Sequence, residues 1–243
     1  MIFKQMYSGG SEFLLTISSN SVSPNIPSLA TSAGWNGSSR LKVLITATYI
    51  NTLSLLSSWV FPQGIEIEIS SGTTVGGERG ASGNPNPASG GAALIAQIPA
   101  SIRNLGTIAG GGGQGGFGQI TYVDYASSRV IAGTDGSFGA GWGFAPSATT
   151  PSDAAAGGAG IYAQYSGPLF GGDTRPWARG GDCGAGGGPG QSGQSGFYGS
   201  VGGSYTAGGE HEPPRPGGLA GNSVTGNSNI TWLATGTRLG PIS

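Results

Sequence analysis

Residues 180–203 read GGDCGAGGGPGQSGQSGFYGSVGG, with glycine at 181, 184, 187, 190, 193, 196, 199 and 202. A glycine in an ordered segment costs roughly 0.5–1 kcal/mol relative to alanine. A chain that spends it at every third position has a geometric use for the missing side chain. A period of three belongs to the extended left-handed polyproline-II-type helix, which has three residues per turn and no internal hydrogen bonds. Its amides and carbonyls must therefore find partners on a neighbour. Glycine along one edge lets that neighbour's backbone come close enough for N–H···O and Cα–H···O contacts.

Two packed assemblies use that edge, the three-chain collagen helix and a single-chain bundle of short helices. Collagen-like sequence needs imino residues at about 15–20% or more, yet Pro189 is the one proline within 181–202. As one helix, 180–203 would be a rod of roughly 75 Å, and GGGPG at 186–190 is a natural turn. The single-chain bundle is therefore expected, with at least two helices here. Disorder is the third alternative, because 51 Gly and 15 Pro bring the two together to about 27% of the chain. Against it stand a hydrophobic fraction of 36%, 5 Trp and only 9% charged residues. Disordered chains are poor in aromatics and rich in charge.

The 243 residues divide into unlike parts. Residues 1–105 read as β structure, a small sandwich or a stacked-turn layer. EFLLTIS (12–18), LKVLITATYI (41–50) and GIEIEIS (64–70) are β-branched, and Ile and Glu alternate strictly from Ile65 to Ile69. AALIAQI (92–98) and SIRNLGTI (101–108) are further short apolar segments. PNIP (24–27), GWNGSS (34–39), FPQG (61–64) and GNPNP (83–87) separate them as breakers. No stretch carries the pattern of a capped amphipathic helix. Residues 106–226 hold the glycine period, with Gly112, Gly115 and Gly118, then GTDGSFG (133–139), then Gly184, Gly187, Gly190, Gly193, Gly196, Gly199 and Gly202. Residues 227–243 close the chain as a strand or hairpin. The fold class expected is thus a mostly β N-terminal domain followed by a bundle of polyglycine II helices with irregular loops, with almost no α-helix.

Formal net charge is −1, with 10 basic and 11 acidic residues. No basic stripe is present to neutralise phosphates, which argues against a nucleic-acid partner. No apolar run approaches 18 residues, so no membrane insertion is expected, and MIFKQMYSGGSEF lacks the h-region of a signal peptide. Cys183 alone cannot make a disulfide within the chain.

Catalytic and metal signals are thin, and neither a cofactor nor a metal is expected. Glu66 and Glu68 alternate on what reads as the solvent side of a strand. Glu210-His211-Glu212 has no second His or Cys nearby and reads as an exposed turn before PPRP. Asp182-Cys183 has no evident His partner for a thiol nucleophile. GGGGQGGFG (110–118) lacks the Gly-Lys-Ser/Thr ending of a phosphate loop. The aromatics are the better candidates. The interruptions 119–132, 142–156, 161–179 and 204–216 carry Tyr122, Tyr125, Phe144, Tyr162, Tyr165, Phe170, Trp177 and Tyr205, with Arg129, Arg175, Arg179 and His211 among them. Phe197 and Tyr198 lie close by. Tyr, Trp and Arg dominate binding hot spots, and tyrosine with Ser and Gly is the chemistry of antibody paratopes.

AGWNG (33–37), NLGTI (104–108) leading into GGGGQGGFG, and the ending TWLATGTRLGPIS (231–243) resemble the glycine-rich receptor-binding segments of tailed-bacteriophage fibres and central tail-tip proteins. More loosely, the chain resembles the polyglycine-helix adhesins that cap T-even-like long tail fibres. The resemblance implies a non-enzymatic virion protein that binds a bacterial surface receptor, whether an outer-membrane protein, a pilus or a surface glycan. It implies other phage tail proteins as partners, a homotrimer as is common in fibres, and recognition through the interruptions, with Tyr122, Tyr125, Arg129, Phe144, Tyr162, Tyr165, Phe170, Arg175, Trp177, Arg179, Tyr205 and His211 as the receptor-binding residues. Residues 1–105 read as an attachment and oligomerisation domain but depart from the dedicated fibre-attachment domain of the long-fibre adhesins. A structural or ice-binding polyglycine protein and a surface-glycan depolymerase are the alternatives.

Overall fold

The computed structural model describes residues 6–7, 12–81, 87–133 and 138–243. The breaker expected at 83–87 and the middle of 133–139 fall mainly outside those residues.

The N-terminal strands stack as rungs of a three-faced parallel solenoid. The first rung holds β1 (Met6–Tyr7), β2 (Glu12–Ile17) and β3 (Ser21–Val22), followed by α1 (Ile26–Ser32). The second holds β4 (Arg40–Ile45), β5 (Tyr49–Asn51) and β6 (Leu53–Leu55), and the third β7 (Ile65–Ile69), β8 (Thr74–Gly76) and β9 (Leu94–Ala96). The fourth opens with β10 (Ala100–Asn104) and β11 (Thr107–Ala109). It is then interrupted by β12 (Ile120–Tyr125), β13 (Ser128–Ala132), β14 (Tyr162–Gln164), β15 (Trp177–Arg179), β16 (Ser200–Gly202) and β17 (Ala207–Glu212), and resumes as β18 (Val224–Thr225). The fifth is β19 (Ile230–Ala234) and β20 (Thr237–Leu239). The faces run β1-β2-β4-β7-β10-β19, β3-β5-β8-β11-β20 and β6-β9-β18. Of the two readings of the N-terminal part, the stacked-turn layer is the one found.

Register explains the stack. Leu15, Val43, Ile67, Ile102 and Trp232 stand in one inward column. Ile50, Val75 and Ile108 form a second, which ends on Arg238. Leu53, Leu94 and Val224 form a third. The column residues of rungs two to four are buried, and burial of each such side chain is worth about 1.5–3 kcal/mol. The alternation from Ile65 to Ile69 sends Glu66 and Glu68 outward, where Arg40 meets Glu66 at 2.8 Å and Lys42 lies 3.5 Å from both carboxylates. The last rung closes with polar atoms. Trp232 Nε1 donates to Asn227 Oδ1 at 2.9 Å, and the Arg238 guanidinium lies 4.9 Å from the centre of a Trp232 ring.

The helix α1 corrects the expectation of no capped helix. Asn25 Oδ1 accepts from Ser28 N at 3.1 Å, and Pro27 occupies the first turn. PNIP is thus a helix start, because proline has no amide to lose there and its φ is already helical.

Residues 110–119 continue β11 out of the solenoid and become the axis of the glycine-rich region. Their amides turn through three directions in rotation. Gly113, Gly116 and Gln119 donate to Gln191, Gln194 and Phe197; Gly111 and Gln114 to Gly91 and Ala88; Gly112 and Gly115 to Trp142 and Gly139. Their carbonyls serve three further segments. Gly110, Gly113, Gly116 and Gln119 accept from Gly190, Gly187, Gly184 and Gly181; Gly111, Gln114 and Phe117 from Gly221, Gly218 and Arg215; Gly112 from Gly80.

That arrangement separates two kinds of glycine pattern. The axial segment is enclosed by backbone, so a methyl at Gly112, Gly113, Gly115, Gly116 or Gly118 would strike the carbonyl of Gly187, Gly218, Gly184, Arg215 or Gly181. It therefore needs glycine at nearly every position, as GGGGQGG supplies. Segments around it meet backbone on fewer sides, and one glycine in three suffices. Within 181–197 the chain folds back at Gly188–Gln191, so Gly184 and Gly187 face Gln194 and Gln191, and Gly193 and Gly196 face Gln114 and Phe117. Gly190 takes φ +63° in that turn. Gly199 and Gly202 lie further on, Gly199 against Arg179 and Gly202 in β16 beneath the Trp177 indole.

Candidate functional site: the distal sandwich and its apex

At the far end of the axis two antiparallel sheets, β13-β12-β17 and β14-β15-β16, pack face to face. Val123, Ala132 and Ala178 are buried between them, with Val130, Ala163 and Val201 against these. Residues 110–119 run from β11 of the solenoid to β12 of this sandwich. Gln119 ties both sheets to the axis. Its side chain donates to Glu210 Oε2 at 3.1 Å and accepts from Gly199 N at 2.7 Å.

Strand direction collects three connections at the outer end: the 126–127 turn, the loop 165–176 and the turn 203–206. Ala126 and Ser127 both have positive φ (48° and 66°), as the tight hairpin between β12 and β13 requires. Tyr125 pins the loop to the hairpin. Its hydroxyl donates to Asp173 Oδ2 at 2.7 Å and accepts from Phe170 N at 2.8 Å. Burial pushes the Tyr125 hydroxyl above its ordinary range. Its ring lies 5.0 Å from Tyr165 and 5.9 Å from Phe170. Arg175 Nη1 donates to Tyr165 O at 2.7 Å. Ser204 N donates to Thr174 O and Thr206 N to Asp124 O, which draws in the third connection. Phe170 remains 68% exposed and Tyr205 43%.

The sandwich flanks carry the other candidates. On one side Arg129 makes two hydrogen bonds to Asp124, at 2.7 and 2.8 Å, and lies 4.5 Å from the Tyr122 ring centre. These bonds hold the Asp124 carboxyl below the usual carboxylate range. His211 meets the edge of Tyr122 at 6.4 Å. On the other side Tyr162 and Trp177 lie 5.6 Å apart at 30°, beside Arg179, whose guanidinium pairs with Asp182 at 2.7 Å.

Three of the four interruptions therefore converge, and one does not. Residues 142–156 turn back to the solenoid, and Phe144 is fully buried there. Its expected place among receptor contacts is corrected, because a ring without exposed surface touches no ligand. Tyr125, 5% exposed, likewise supports the loop instead of facing outward. Phe197 and Tyr198, named beside the candidate loops in the sequence, are 53% and 74% exposed and more open than most of the set.

A stacked solenoid that leads through a backbone-packed axis to loops rich in tyrosine, phenylalanine and arginine is the build of a recognition protein. The chain belongs to the phage tail fibre adhesin Gp38 family, whose model matches residues 12–243. It is a receptor-binding adhesin of a bacteriophage tail fibre, and its place is the virion tail. The fold is similar to the gp37–gp38 adhesin tip complex of the bacteriophage S16 long tail fibre, with a TM-score of 0.50 and 22% identity over 96% of this chain and 83% of that one. Comparison with curated proteins gives no match.

Proposed function

We propose that the apex grips the bacterial receptor, with Phe170, Tyr205 and Tyr165 as contacts and Tyr125 and Arg175 as their supports. Tyr122, Arg129 and His211 on one flank, and Tyr162, Trp177 and Arg179 on the other, extend the surface. The observation that carries this reading is the tying of three separate connections into one outward surface through the Tyr125 hydroxyl and the Asp124 and Thr174 carbonyls. The apex is a binding surface without chemistry of its own. Its two carboxylates hold structure together, Asp124 pairing with Arg129 and Asp173 accepting from Tyr125.

Residues 1–105, with the last rung at 227–243, serve as the mount on the fibre, and residues 106–226 as a polyglycine II spacer. The gp37–gp38 complex of the structural neighbour supports a fibre protein as partner. A homotrimer is the proposed assembly, and a light-scattering mass near 23.9 kDa for the purified chain would refute it.

The test is capture of the purified protein by intact Gram-negative cells, compared with cells stripped of pili, porins or surface glycan. Loss of capture with one component identifies the receptor class. Phe170→Ala and Tyr205→Ala should each abolish most of that capture while leaving the melting temperature unchanged. Undiminished capture by both variants would refute the apex as the site.

A further inference from the structure

The interruption that misses the apex has its own geometry. Residues 139–142 belong to the bundle, where Gly112 N donates to Trp142 O and Trp142 N to Gly187 O. The chain then folds onto the outside of the solenoid's second face. Phe144 N donates to Gly77 O, and Phe144 O accepts from Arg79 N. The Phe144 ring packs against Gly76, where a side chain would collide with it, and meets Tyr49 edge-on at 6.4 Å. Asn51 Nδ2 donates to Ala148 O at 3.2 Å, and paired bonds between Gly143 and Ser152 close the excursion.

Tyr49 and Asn51 belong to rung two. Rungs three and four pass chain into the bundle, at 76–77, 91–93, 109–110 and 221–223, whereas rung two turns directly from β5 to β6 at Thr52 and rung five turns at 239–240 to set Ile242 beside Val224. The excursion thus fastens the bundle to a rung that is otherwise not continuous with it.

We infer that residues 142–152 are a strut that fixes the direction of the apex relative to the solenoid, with Phe144 as its positioning residue. This rests on the apex reading above. Such a device acts by preorganisation, because a tip that swings must be ordered each time it binds. Its loss leaves the binding surface itself intact.

The experiment compares Phe144→Ala, Phe144→Leu and Phe170→Ala, each as free protein and assembled on virions. Free Phe144→Ala should bind cells within about twofold of wild type, while exchange of the Arg79 amide, which donates to the carbonyl of residue 144, and of the residue 144 amide itself rises by about tenfold or more as the segment opens locally. On virions its adsorption should fall about tenfold through lost preorganisation, and Phe144→Leu should restore most of it. Asn51→Ala, which removes one anchor at Ala148, gives the same direction of change should the alanine variant fail to fold. A free Phe144→Ala protein that binds as poorly as Phe170→Ala would overturn the inference, placing 142–152 in the receptor surface. Wild-type exchange and adsorption together would overturn it too. Unaltered binding by Phe170→Ala sinks the apex reading instead, and the exchange at Arg79 then still reports on the strut.

Discussion

Gly113 gives the sharpest test of how the bundle is held. An alanine there carries its methyl into the Gly218 carbonyl, and the axial segment is enclosed on the other sides, so it has no direction in which to relax. Overpacking of this kind costs about 1–3 kcal/mol. Displacement also strains the bond from Gly113 N to Gln191 O, 3.0 Å, and that from Gly187 N to Gly113 O, 2.8 Å. At about 0.5–1.5 kcal/mol each, they add roughly 1–3 kcal/mol. The expected loss of about 2–6 kcal/mol is a large part of the usual 5–15 kcal/mol margin. In a chain of this size it lowers Tm by roughly 5–20 °C. The control is Gly171, where an added methyl would meet no atom within 4 Å and the backbone has no positive φ. Gly171→Ala should be neutral or stabilising by up to about 1 kcal/mol, because it restricts the unfolded chain. Calorimetric melting of both variants decides. If Gly113→Ala melts with wild type, close backbone packing is not what the glycines are for.

Four further outcomes follow from the apex and the last rung. Tyr125→Phe removes the hydroxyl that joins Asp173 to Phe170 N, so capture by cells should fall severalfold while Tm changes by only a few degrees, as the loss of one hydroxyl's bonds entails; unchanged capture would show that the loop holds its shape alone. Because the Tyr125 hydroxyl titrates above its ordinary value, its contribution is complete below about pH 10 and is lost as pH rises through the folded value. Near-ultraviolet absorbance of wild type against Tyr125→Phe should show this tyrosine ionising above its ordinary range. Asp124 titrates low, so its pairing with Arg129 is present at neutral pH and lost as pH falls through the lowered value, below about 3.8; Asp124→Asn should remove that acid-side dependence. Arg238→Ala uncovers Trp232 and should red-shift tryptophan emission, whereas an unshifted spectrum would mean that the cation does not cover the ring.

The sequence showed inward and outward faces where the pattern was local. Ile65 to Ile69 alternates within five residues, and so do its neighbours in space. The glycine period similarly predicted backbone-to-backbone packing, because one helix edge repeats every three residues. The solenoid was harder to see. Leu15, Val43, Ile67, Ile102 and Trp232 form one column, but the interval between the last two is lengthened by the whole glycine-rich region, and no fixed repeat survives. NSNITWLATGTRLG therefore reads as a closing strand or hairpin, although its two strands lie on different faces of the fifth rung. Phe144 and Tyr125 misled for another reason. Composition marks an aromatic as a hot-spot candidate, while only packing decides whether its face is open. PNIP reads as a break until Asn25 is seen capping the turn that Pro27 begins.

The direction of residues 110–119 has a mechanical meaning. In the arrangement proposed above, a particle held at the apex and pulled from the solenoid loads the axial segment lengthwise, across the hydrogen bonds that join it to its neighbours. Those bonds must then slide together instead of opening one after another. Tension entering at Ile120 passes sideways into the segments beside the axis and returns to the solenoid through 76–77, 91–93 and 221–223 as well as 109–110. The side chains absent from the core are thus what lets the tether bear load as a cable of many strands.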